Sequence, residues 1–97
     1  MNQARYRTPG GIKKLLRQMN QLEHYARKGD TVAHAILMDL NNAIERDGVL
    51  TFKQRRYLKL WLDGFRQIDI AAMHRIGQYK VSRVISRGAK NISVYLS

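Results

Sequence analysis

Ile12, Leu15, Leu16, Met19 and Leu22 recur at the three- and four-residue spacing of one helix face, and the same period returns in each later segment. No stretch of useful length alternates apolar and polar residues as a strand would. A chain patterned this way must bury helix stripes against other helices, so the expected fold is all-α, with about five helices. Glycines cut the pattern into pieces. Lys28-Gly29, Asp47-Gly48 and Asp63-Gly64 read as helix stops. Asp30 or Thr31, and later Thr51, read as N-caps.

The first helix is expected from Ile12, with Tyr25 and Ala26 extending its face. The second buries Val32, Ile36, Leu37, Leu40 and Ile44, and pairs antiparallel with the first because the connection is short. The third follows Thr51 and buries Tyr57, Leu58, Trp61 and Leu62. A short helix runs from Gln67 to Met73 with Ile70, Ala71 and Met73 inward, and a break falls over residues 74–77. The last helix runs from Gln78 to Ile92, with Val81, Val84 or Ile85, and Ala89 inward. The ending Ser93–Ser97 has β propensity but is too short to make a strand. Pro9-Gly10-Gly11 reads as a turn, which leaves residues 1–11 as a flexible basic arm carrying Arg5 and Arg7. Residues 12–48 then form an N-terminal helical pair, and residues 49–97 a second unit.

Composition narrows the chemistry. With 97 residues and 44% apolar side chains, the chain can fill a core unaided. It has no cysteine, which excludes a disulfide framework, a zinc–cysteine site and a thiol nucleophile and fits a reducing cytoplasm. No apolar run approaches the roughly 20 residues that span a bilayer, so no membrane partner is expected. His24, His34 and His74 show no metal-ligand spacing, and Glu23, Asp39 and Glu45 make no acid/base dyad. No Ser-His-Asp order or glycine-rich phosphate loop stands out. The expectation is a protein without catalytic residues, metal or cofactor.

Charge points to a polyanion. Eighteen Lys and Arg against seven Asp and Glu leave a net +11. Residues 1–50 hold eight basic and five acidic side chains; residues 51–97 hold ten basic and only Asp63 and Asp69. The sequence therefore assigns the electrostatic footprint to the C-terminal half.

In that half, a basic helix, a seven-residue helix, a short break and a helix with a polar start follow one another, which is the layout of a helix-turn-helix. Ala71 and Ala72 supply small residues for a close crossing, and Val81 and Ile85, four apart, lock the second helix down. The stretch LTFKQRRYLKLWLDGFRQIDIAAM followed by VSRVISRGAKNI resembles the C-terminal DNA-binding region (region 4) of bacterial sigma factors. It also resembles small sigma-like regulators of phages and mobile elements. Leu50, Thr51, Gln54 and Arg55 match the family's opening helix. Gly64, Gln67, Ile70 and Ala71 match the second, and Val81, Ser82, Arg83, Ile85 and Arg87 the recognition helix. The resemblance spans residues 50–92. Two departures stand out. The turn reads His74-Arg75-Ile76 where the family carries Leu-Gly-Ile, which leaves its geometry and the register of the following helix open. Residues 1–49 lack the family's aromatic-rich promoter-melting region, so promoter opening is not expected.

The resemblance implies that Gln78, Tyr79, Lys80, Ser82 and Arg83 read bases in the major groove. Arg83 would fork onto a guanine and Gln78 pair with an adenine, while Tyr79 either stacks on sugar or packs on the neighbouring helix. Lys53, Arg55, Arg56, Arg66 and Arg87 would hold phosphates. The expected partner is double-stranded DNA, with a homodimer through the N-terminal helices, and the expected function is sequence-specific transcriptional regulation. Two alternatives stay open at this point: a small terminase-like subunit that recognises viral DNA for packaging, and a factor whose partner is RNA polymerase.

Overall fold

Asp30 and Thr51 sit where the chain must leave a turn and enter a helix, and both cap one. In the computed structural model, which describes residues 9–97, Asp30 accepts the backbone N–H of Ala33 at 3.1 Å. Thr51 Oγ1 accepts the N–H of Gln54 at 3.1 Å, and Gln54 Oε1 accepts the N–H of Thr51 at 3.0 Å, a reciprocal capping box. The described residues form six helices and no strand: α1 (Pro9–Arg17), α2 (Met19–Arg27), α3 (Thr31–Glu45), α4 (Phe52–Leu62), α5 (Gln67–His74) and α6 (Gln78–Leu96). The protein is all-α.

Six helices replace the expected five because the run from Ile12 bends at Gln18. No glycine or proline stands there. The Gln18 N–H still bonds to the carbonyls of Lys14 and Leu15, so the ladder bends there without being cut. The bend follows from packing: α1 lies on α6, whereas α2 lies on α3, and one straight rod cannot do both. The expected turn at Pro9-Gly10-Gly11 is instead the first turn of α1. Proline is tolerated at a first helical position, where its missing N–H would have had no partner. Arg5 and Arg7 lie outside the described residues.

The core is continuous, and α6 runs through it in contact with α1, α3, α4 and α5. Val81, Ile85, Ala89 and Ile92 are fully buried on its inner face. At about 1.5–3 kcal/mol for each large aliphatic side chain, this stripe is a principal source of stability. Gly88 permits the closest approach: a Cβ there would sit 2.9 Å from Leu58 Cδ1. One turn on, Asn91 Nδ2 donates to Gln54 Oε1 at 3.0 Å, so α4 and α6 run antiparallel.

Several inward assignments change. Val32 is 53% exposed, because α3 turns Ala33, Ile36, Leu40, Ala43 and Ile44 to the core and Val32 falls out of phase. Met73 and Ala72 are exposed, so only Ala71 serves the α5 crossing. Trp61 is half-buried, with the Arg17 guanidinium 5.5 Å from its ring centroid. The last helix runs one turn past Ile92. Ile92 and Ser93 are buried and Leu96 packs on the core, so burial outweighs the β propensity of Val94 and Tyr95.

Candidate nucleic-acid interface

Arg66 opens α5. Its own N–H donates to Asp69 Oδ2 at 3.1 Å, and its guanidinium forks onto both Asp69 oxygens at 3.1 and 3.3 Å. These bonds hold the Asp69 carboxyl below its ordinary range, first through the Arg66 side chain and then through its backbone N–H. Ile70 and Ala71 anchor the helix to the core.

The end of α5 sets the direction of α6. The Arg75 N–H bonds to the carbonyl of Ala72 and the Ile76 N–H to that of Ala71, the paired bonds of a Schellman ending. This ending needs one left-handed residue, and Arg75 supplies it at φ 54° and ψ 43°. Among the described residues it is the one non-glycine with positive φ. Ile76 packs on the core, and α6 begins at Gln78, the register expected from the sequence. The departure from Leu-Gly-Ile thus lies in the residue that takes the bend, not in a missing bend.

Residues 81, 85, 88, 89, 92 and 93 of α6 face inward, which fixes its outer face. Lys80, Arg83, Arg87 and Lys90 follow one another there at spacings of three, four and three residues, all exposed. Tyr79 is 71% exposed and lies under the Arg83 guanidinium, 5.6 Å from ring centroid to Cζ, so it does not pack on a neighbouring helix. Gln78 is exposed at the helix start. Ser82 departs from its expected place: it is half-buried on the flank, turned away from the outer stripe. From residue 70 to the C-terminus the chain carries five cations and no carboxylate.

The expected phosphate-holding residues divide. Arg87 lies on the outer stripe of α6. Lys53 is exposed, 5.9 Å from the Tyr57 ring centroid. Arg56 Nε donates to His74 Nε2 at 3.1 Å; the imidazole proton is therefore on Nδ1, which donates to the carbonyl of Ile70 at 2.7 Å. Arg66 is held by Asp69. Arg55 is not placed for a phosphate: half-buried, it donates from Nε to the Ile44 carbonyl at 2.8 Å and from Nη2 to the Arg46 carbonyl at 3.3 Å. It closes the C-terminal end of α3, where carbonyls lack helical partners.

Two exposed cations on this side escaped sequence reading. The left-handed Arg75 carries no sequence mark, because glycine usually announces that conformation. Lys90 was legible from the three-four-three spacing. A groove of about 550 Å³ is lined by α2, α3 and α4 and the start of the following turn, with Glu23, Glu45 and Asp63 among its walls and no residue of α5 or α6. Among the described residues, no helix is long and apolar enough to cross a membrane. Compared with models of known protein families, with curated proteins and with solved structures, the chain matches none.

Proposed function

We propose that this protein binds double-stranded DNA through a helix-turn-helix formed by α5 and α6, and acts as a sequence-specific transcriptional regulator. One observation carries the reading: Lys80, Arg83, Arg87 and Lys90 line one exposed face of α6, the helix that follows a tight turn, with no carboxylate on that helix. A row of cations without counter-charges repels itself, and a polyanion removes that cost on binding. The likeness of residues 50–92 to sigma-factor region 4 supports the transcriptional role. Tyr79, Lys80 and Arg83 at the exposed start of α6 are the proposed base readers, with Gln78 beside them. Arg87 and Lys90 further along hold phosphates.

The test is binding of a fluorescently labelled random duplex across a KCl series. The two phosphate contacts assigned to Arg87 and Lys90 alone give a slope of log K against log salt of about −2, and each further contact steepens it by about one. Arg83→Ala should relax discrimination at one base of a selected site by about 1–3 kcal/mol. Equal weakening on every sequence would move Arg83 to the phosphate set. Absence of binding at 50 mM KCl would overturn the DNA reading.

A further inference from the structure

All seven acidic residues lie between Glu23 and Asp69, where eight basic residues nearly balance them. The described stretches on either side have none: residues 9–22 carry Lys13, Lys14 and Arg17, and residues 70–97 carry five cations. In the sequence these stretches are far apart. In the fold they touch, because α1 packs along α6 and Lys13 Nζ donates to Ser86 Oγ at 3.2 Å across 73 residues of chain.

That contact places a third cation beside two others. Ser86 follows Arg83 by three residues and precedes Lys90 by four, so both are its neighbours on the helix surface, about 5–6 Å away between Cβ atoms. Lys13 is thus set between two positive side chains, and its partner is a neutral hydroxyl. Lys14, next to it, is exposed and has no side-chain hydrogen bond or ion pair among the described residues. Arg17 lies over Trp61 and is occupied in packing. A surface that served only to cover the core would gain by placing a carboxylate in this seam. Neither helix has one.

We infer that α1 belongs to the same DNA-binding surface as the outer face of α6, with Lys13 and Lys14 holding backbone phosphates beside the one gripped by Lys90. The inference rests on the DNA reading of α6 and enlarges it: the duplex meets two elements from opposite ends of the chain. A phosphate in the seam supplies the counter-charge that the protein omits, and α1 adds affinity without base selectivity.

The full-length Lys13→Gln/Lys14→Gln protein tests this against Arg27→Gln/Lys28→Gln, which removes equal charge from the exposed end of α2. Each is titrated with the labelled random duplex in KCl, with folding checked by circular dichroism. The α1 variant should lower the salt slope by about two and weaken binding on the order of tenfold or more, while the α2 variant stays within about twofold of wild type. Should the double variant fail to fold, Lys14→Gln alone, which removes no side-chain hydrogen bond or ion pair among the described residues, should lower the slope by about one. A wild-type slope in the α1 variants overturns the inference while leaving the DNA reading intact, and so does an equal loss in the α2 variant. Loss of binding to phosphatidylserine vesicles with DNA binding unchanged also overturns it. A wild-type protein that binds no duplex removes the DNA reading and this inference together.

Discussion

The cations of α4 and α5 and those of α6 are the same residue types at similar density, yet the fold treats them differently. Around α4 and α5, each of four has a protein partner: Arg55 the carbonyls ending α3, Arg56 the His74 imidazole, Lys59 the Glu45 carboxylate at 2.7 Å, and Arg66 the Asp69 carboxylate. Along α6, the side chains of Lys80, Arg87 and Lys90 have no hydrogen bond or ion pair among the described residues, and that of Arg83 meets only a tyrosine ring. Charge density in a sequence is therefore not charge availability. The ends of α3 and α5 lie against α4 and take up Arg55, Arg56 and Lys59, whereas what α1 brings to the flank of that face of α6 is Lys13, itself a cation. The partners also differ in strength. A solvent-screened ion pair such as Arg66–Asp69 contributes little and yields readily to a phosphate, but a half-buried guanidinium bound to helix-end carbonyls does not.

Arg55→Ala tests the sharpest edge of that comparison. The substitution strands the Ile44 carbonyl, leaves the Arg46 carbonyl with the Val49 N–H alone, and should cost roughly 1–3 kcal/mol in urea unfolding. The salt slope of DNA binding should stay unchanged. Full stability together with a slope lower by about one would return Arg55 to the phosphate set and break the division between the two groups.

Arg75→Gly asks the same question in the opposite direction. A non-glycine residue in the left-handed region costs about 1–2 kcal/mol, less the entropy that glycine gains in the unfolded chain. The ends of α2 and α4 use Gly29 and Gly64 with the same paired hydrogen bonds, so glycine suits this geometry. The variant should be more stable by up to about 1 kcal/mol, with a melting temperature several degrees higher. Arg75 is exposed beside the start of α6 and its side chain has no hydrogen bond or ion pair among the described residues, so the same change should lower the salt slope by about one. A gain in stability with undiminished DNA binding would leave the strain at Arg75 without a function.

The sequence made legible whatever a local signal controls. Asp30, Thr51, Gly29 and Gly64 fixed helix ends, and the periodic Val81 and Ile85 fixed which face of α6 points inward. Three features had no local signal. The bend at Gln18 arises because α1 and α2 have different partners. The turn at Arg75 has its hydrogen bonds and its neighbours Ile70 and Ile76 to hold it, without a glycine. The seam between Lys13 and Ser86 joins residues that only the finished core brings together. The candidate site was half legible for the same reason: spacing identifies the outer stripe of α6, but the partners that withdraw Arg55, and the elements that flank Ser82, come from elsewhere in the chain.

The smallest expected effect concerns the two exposed ion pairs of the partnered group. Lys59 holds the Glu45 carboxyl below its ordinary range, chiefly through its hydrogen bond, and Arg66 does the same for Asp69. A carboxyl whose pKa is lower folded than unfolded adds stability above its unfolded value, near pH 4, and loses that contribution as pH falls through the folded value. The urea midpoint should therefore hold from pH 7 to about pH 5 and decline below about pH 4. Glu45 is exposed and Asp69 partly so, and solvent screens both pairs, so the decline they cause is shallow. Glu45→Gln/Asp69→Asn should be slightly less stable at pH 7 and show a flatter acid limb, the two curves meeting near pH 2. Parallel curves at all pH values would mean that neither pair adds stability and that Lys59 and Arg66 are as available to an anion as the cations of α6, which would leave Arg55 and Arg56 as the whole of the partnered group.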